Sequence, residues 1–195
     1  MKKFFGILLT ALTICMLTAC GSSAESPSEK NSDTVQPADK ILVAYFSCTG
    51  NTKTAALEVA EILKAETFEI VPEQAYTPAD LDYQVENCRA NVEQKDSDAR
   101  PAIKNKIDNP AQYKAIVVAF PIWWGAEPRI IDTFVESFDV SGKVIVPVCT
   151  SGGSDIHTAV QNLRGLCKGA DVRDGERLGN MPKDGVKAWL DSLKL

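Results

Sequence analysis

Three hydroxyl side chains and a glycine fall within six consecutive positions: Ser47, Cys48, Thr49, Gly50, Asn51 and Thr52. An apolar run over residues 41–46 precedes them, and a stretch with a helical period follows. Such a run, ended by polar residues and glycine, suits a buried strand of a parallel sheet. The six residues therefore occupy a strand-to-helix turn. Unpaired N–H groups at a helix start attract an anion, and the helix dipole adds to that attraction. Ser47, Thr49 and Thr52 contribute hydroxyl donors, and Gly50 lets the backbone approach a ligand closely. The combination reads as a phosphate site that needs no side-chain cation. It is not a Walker A loop, because no Gly-Lys-Ser/Thr follows at the required spacing. The competing reading is an ordinary turn in which a threonine caps the helix.

Two more loops follow apolar runs. Pro121, Ile122, Trp123, Trp124 and Gly125 come after residues 113–120, and Thr150, Ser151, Gly152, Gly153 and Ser154 come after residues 143–149. An exposed indole is a stacking surface for a planar ring, although a buried one simply plugs the sheet edge. The glycines of the third loop offer free backbone beside two hydroxyls. A phosphate site and an aromatic wall on one rim ask for a mononucleotide-like ligand, and flavin mononucleotide (FMN) meets both demands.

The elements that must position these loops alternate in type. Helical spacing covers residues 51–64, a second strand 67–71, and a helix 81–93 inside a polar stretch. A helix begins after Pro128, with Ile130, Ile131, Phe134 and Val135 on its apolar face. A helix over 155–166, a fifth strand within 170–178 and a last helix over 183–193 complete the pattern. Alternating strands and helices define a parallel α/β sheet with right-handed crossovers. Ligands of such sheets bind beyond the carboxyl ends of the strands, where all three loops fall.

The first 20 residues stand apart. Lys2 and Lys3 precede an apolar stretch that ends in Leu17-Thr18-Ala19-Cys20. That is the layout of a signal peptide, too short in its apolar part to span a bilayer. Its last four residues resemble a bacterial lipobox, which implies cleavage before Cys20 and a lipid on its thiol. Residues 21–38 are rich in Ser, Glu, Asp, Pro and Lys and read as a solvated tether, with the folded domain over 39–195. The two leader lysines removed, 19 basic and 26 acidic side chains remain, a net charge of −7. That sign disfavours nucleic acid and anionic headgroups, and it suits a basic protein partner or mere solubility. Cys48, Cys88, Cys149 and Cys167 show no metal-finger spacing. Cys48 and Cys149 each adjoin a strand end and read as small apolar fillers. His157, the single histidine, reads as a surface or capping residue, since no acid or nucleophile is paired with it.

Ser47-Cys48-Thr49-Gly50-Asn51-Thr52 matches the flavodoxin phosphate loop, Ser/Thr-x-Thr-Gly-x-Thr, and residues 121–125 and 150–154 resemble the two ring loops of one flavodoxin subgroup. From Lys40 to the end, the chain is similar to the flavodoxin-like family. The resemblance implies a doubly wound five-stranded parallel sheet, order 2-1-3-4-5, with non-covalent FMN. It implies that Ser47, Thr49, Gly50, Asn51 and Thr52 hold the phosphate. Trp123 or Trp124 would cover the ring, and Pro121, Ile122 and Gly125 would shape that loop. Thr150, Ser151, Gly152 and Gly153 would give backbone contacts, and Tyr76, placed after the second strand, would be a further residue able to approach the ring. Asp155 departs from the subgroup, which often continues with glycine there. Three functions stay open: an electron carrier between protein partners or small acceptors at the cell envelope, an FMN-dependent NAD(P)H:quinone-type reductase, and a non-redox binding lipoprotein.

Overall fold

The computed structural model describes residues 40–195. The leader, the tether and Cys20 lie outside the described residues. Strands β1 (Lys40–Tyr45), β2 (Glu66–Glu69), β3 (Tyr113–Pro121), β4 (Val144–Thr150), β5 (Asp171–Val172) and β6 (Glu176–Arg177) alternate with five helices. These are α1 (Asn51–Leu63), α2 (Arg89–Lys95), α3 (Arg129–Glu136), α4 (His157–Leu166) and α5 (Lys183–Leu193). All strand pairs are parallel, in the order β2-β1-β3-β4-β5, with β6 also beside β4. The expected order 2-1-3-4-5 is the observed one.

Burial on both faces explains the unbroken apolar runs. Leu42, Ala44 and Phe46 point into a core shared with Ile130, Phe134 and Leu163 of α3 and α4. Val43 and Tyr45 point the other way, against Val59 of α1 and Leu190 of α5. The sheet is thus the middle of three layers, and the turns at its carboxyl ends are held by two cores at once.

The fifth strand departs from the expected 170–178. It is split into β5 and β6, and the reason is Pro147. Asp171 N–H donates to Lys143 O, Arg173 N–H to Ile145 O, and Leu178 N–H to Cys149 O, each at 2.9 Å. In a parallel strand the N–H and C=O of one residue face the same neighbour. Pro147 therefore turns its missing N–H toward the fifth strand, and the ladder opens there. Gly175 crosses the gap at φ +74°, where an added Cβ would sit 2.5 Å from Pro147 O. Gly175→Ala is expected to cost about 2–4 kcal/mol, from the backbone clash plus the left-handed conformation. Urea unfolding of the variant checks this.

The expected helix over 81–93 is also corrected. A single 3-10 turn forms at Ala79–Leu81, and α2 starts only at Arg89. Side chains take the backbone groups a helix would need. Asp80 Oδ2 accepts from Thr77 N–H at 2.8 Å and from its hydroxyl at 2.7 Å. Asp82 Oδ1 accepts from Gln84 N–H at 3.2 Å, and Asn91 Nδ2 donates to Tyr83 O and Val85 O at 3.0 and 2.9 Å.

Candidate functional site

β1, β3 and β4 end side by side, so the three loops meet at one rim. Thr150 ties them together. Its hydroxyl lies 2.7 Å from the Thr52 hydroxyl of the first loop, and its carbonyl accepts from Ile122 N–H of the second at 2.9 Å. Between them opens a cleft of about 850 Å³.

The start of α1 lines the cleft. Gly50 precedes that helix at φ +90°, a conformation favoured by glycine, and no side chain caps the helix. Ser47 Oγ accepts from Gly50 N–H at 3.1 Å, which closes the turn. Thr49, Asn51 and Thr52 line the cleft, while Ser47 and Gly50 close the turn and are outside the lining. No lysine, arginine or histidine lines this cleft among the described residues. Attraction for an anion comes from N–H groups, hydroxyls and the helix dipole.

The second loop lines the same cleft. Trp123 and Ala126 exchange both backbone hydrogen bonds, at 2.9 and 3.0 Å, around Trp124 (φ +53°) and Gly125 (φ +82°). Positive φ at both central positions marks a type I′ turn. This turn separates the two indoles. Trp123 is half-buried, edge-on to Phe46 and Tyr76 with ring centroids at 5.6 and 5.3 Å. Trp124 is 62% exposed. A bulky aromatic at φ > 0 is uncommon and costs on the order of 1–3 kcal/mol, so something must hold it there. Asn91 does so by accepting from the indole Nε1–H at 2.8 Å.

Further residues complete the walls. Leu81 and the exposed ring of Tyr83 stand on one side, and Leu178, Gly179 and Met181, which follow β6, stand on another. Ser151 and Gly152 line the cleft, and Gly153 does not; its N–H donates to Ser151 Oγ at 3.1 Å. Tyr76 lies beneath Trp123 rather than in the lining, with Arg89 over its ring at 4.0 Å. Asp155 also lies outside the lining. Its Oδ1 accepts from His157 N–H at 2.9 Å at the start of α4. Cys48 lines the cleft and is exposed. Cys149 is buried, and burial pushes its thiol up to about 12, in keeping with an inert filler.

The sequence gives no hint of how the second loop is anchored. Gln94 Nε2 donates to Trp123 O at 3.0 Å and to Glu127 O at 3.1 Å. Glu127, directly after the turn, is wholly buried, and its carboxyl accepts from Asn162 Nδ2 of α4 at 3.0 Å. Buried Asp132 is its acidic neighbour, held by Arg129 Nη1 at 3.2 Å with Arg100 at 3.8 Å. Burial raises both carboxyls, and Arg129 and Arg100 oppose the rise at Asp132. Glu127 is pushed from the usual 4.5 to about 7. A raised acid stabilises the fold most at low pH, and that contribution is lost as pH rises through the folded value. Stability is expected to fall by about 2–3 kcal/mol between pH 4.5 and 8 on this account. Glu127→Gln is expected to flatten that fall, as read by thermal melts at both pH values.

An open parallel sheet of this order, with an anion-binding turn and an aromatic wall above its strand ends, defines an α/β protein built to hold a nucleotide-like ligand. A family model described as flavodoxin matches residues 40–193, and the chain belongs to the flavodoxin family. Among solved structures, a protein of Bacteroides eggerthii assigned provisionally as a flavoprotein is 40% identical, with a TM-score of 0.77 over 80% of this chain and 98% of its own. A similarly assigned protein of Bacteroides uniformis is 43% identical, with a TM-score of 0.75 over 78% and 97%. A flavoprotein of Lactobacillus acidophilus, solved in complex with FMN, shares the fold at 21% identity and a TM-score of 0.64, over 80% and 99%. Comparison with curated proteins gives no match.

Proposed function

We propose that this chain binds FMN non-covalently in the cleft and transfers electrons at the cell envelope, anchored by a lipid on Cys20. The observation that carries the reading is a single cleft lined both by the uncapped start of α1 and by the exposed indole of Trp124. The residues fit the cofactor at both ends. N–H groups of the first turn of α1, with the Ser47, Thr49 and Thr52 hydroxyls and the Asn51 backbone, suit a phosphate dianion, and Gly50 opens the approach. Trp124 suits the ring, on a turn formed by Gly125 and supported by Pro121, Ile122 and Trp123. Thr150, Ser151, Gly152 and Gly153 offer the edge of the third loop.

When bound, FMN supplies the redox chemistry, and the protein sets its orientation and surroundings. The side chains here do no proton transfer of their own. His157 is exposed at the start of α4, outside the cleft lining. The net charge of −7 beyond the leader suits a basic redox partner protein and disfavours nucleic acid. A small-molecule acceptor is the second reading. The exposed Tyr83 ring, 6.1 Å from Trp124 and at 84° to it, leaves an aromatic corner open to another planar molecule, as a NAD(P)H:quinone-type reductase needs.

Purification under native conditions tests the proposal. The protein is expected to be yellow, and its released chromophore to be FMN. A colourless protein that takes up no added FMN contradicts both redox readings and leaves a binding lipoprotein. Rapid oxidation of NADPH or NADH with a quinone, followed by stopped flow, replaces the carrier by the reductase. For the anchor, Cys20→Ser is expected to move the protein from the membrane fraction to the soluble fraction of its host.

A further inference from the structure

We propose that Asn91 is the residue that positions the ring-binding wall of the cleft, and that α2 acts as its bracket. The proposal rests on the FMN reading above and goes beyond it, because α2 lies outside all three loops. Asn91 is 4% exposed, and its side-chain amide makes three bonds. Its oxygen accepts from the Trp124 indole, and its nitrogen donates to Tyr83 O and Val85 O. The Trp124 indole and the backbone that carries the exposed Tyr83 ring are thus tied to one buried amide. One helical turn on, Gln94 grips the backbone of the same Trp loop at Trp123 O and Glu127 O.

The bond to Trp124 has a clear task. Trp124 sits at φ +53° with its ring largely in solvent, so packing alone does not fix the indole. A side chain with an amide oxygen and an amide N–H₂ is required, since one group must accept from an indole while the other donates to two carbonyls. Leucine fits the volume and supplies neither. Aspartate accepts from the indole but faces two carbonyl oxygens with a negative charge. Asn91, at the edge of the cleft, therefore fixes the Trp124 indole and the backbone that carries Tyr83 through its own bonds, and it is a positioning residue.

Two variants test this. Asn91→Ala removes all three bonds, and Trp124→Phe keeps a ring at the surface but removes the indole N–H. In protein stripped of FMN, the indole N–H resonance of Trp124, assigned by its loss in Trp124→Phe, is expected to exchange slowly with water. In Asn91→Ala it is expected to exchange as a free indole does. In flavin titrations both variants are expected to bind FMN and riboflavin about tenfold more weakly, by the same factor for each, and to shift the midpoint potential of the bound flavin. An indole resonance unaltered by Asn91→Ala overturns the proposal. So does wild-type affinity and potential in Trp124→Phe, a surface variant whose folding is not at issue. Wild-type protein that binds neither flavin refutes the FMN reading instead, and the indole exchange still decides what Asn91 does.

Discussion

Thr49→Tyr is expected to weaken FMN binding at least a hundredfold while leaving the melting temperature within a few degrees of wild type. Thr49 lines the cleft at the turn before α1, beside the uncapped N–H groups. A phenol there fills the space a phosphate needs and removes one hydroxyl donor. A hydrogen bond to a charged group is worth about 1.5–3 kcal/mol, and steric exclusion from the turn forfeits several such bonds. Thr52→Val is the milder companion, expected to cost about tenfold through one lost donor of that strength. It also breaks the Thr52–Thr150 bond between the first and third loops. Calorimetric titration of the apoprotein with FMN measures both, and unchanged affinity in Thr49→Tyr would place the phosphate elsewhere.

The two adjacent tryptophans are expected to respond in opposite ways. Trp123→Ala removes a half-buried ring packed on Phe46 and Tyr76, and about 2–4 kcal/mol of stability goes with it. Trp124→Ala removes an exposed ring, keeps the Cβ in a left-handed backbone and leaves the Asn91 oxygen without its donor, so only about 1 kcal/mol of stability is lost. Flavin affinity is expected to drop about tenfold or more in Trp124→Ala, from the loss of a stacking face worth about 1–2 kcal/mol. Urea midpoints and flavin titrations on the two variants separate these roles. A stable Trp123→Ala with lost flavin, beside a wild-type-like Trp124→Ala, reverses the assignment.

The meeting of the three loops was legible because a parallel α/β pattern sends every strand in one direction. Residues 47–52, 121–125 and 150–154 must then share a rim, and Thr150 joins them there. The division of labour between Trp123 and Trp124 was not legible. It depends on a type I′ turn whose first central residue is tryptophan, where the usual signal is asparagine or aspartate before glycine. The break in the fifth strand had a visible cause, Pro147 inside a strand, but its effect depends on which neighbour the missing N–H faces. Residues 81–93 read as a helix because the apolar spacing allows one. The Thr77–Asp80 bonds, the Asp82 turn and the carbonyls taken by Asn91 outweigh that spacing. Tyr83, Asn91, Gln94 and Asn162 reach the site through long-range placement, and no local pattern announces them.

The central claim is a division between a turn that holds a phosphate and an indole that faces a ring, and one comparison addresses it directly. FMN and riboflavin differ only in the phosphate, so their affinities for the apoprotein isolate the first loop. The account predicts tight, saturable binding of FMN, with riboflavin weaker by at least a hundredfold, and a Thr49→Tyr variant in which that difference collapses. Equal affinity for FMN and riboflavin in the wild-type protein would contradict it.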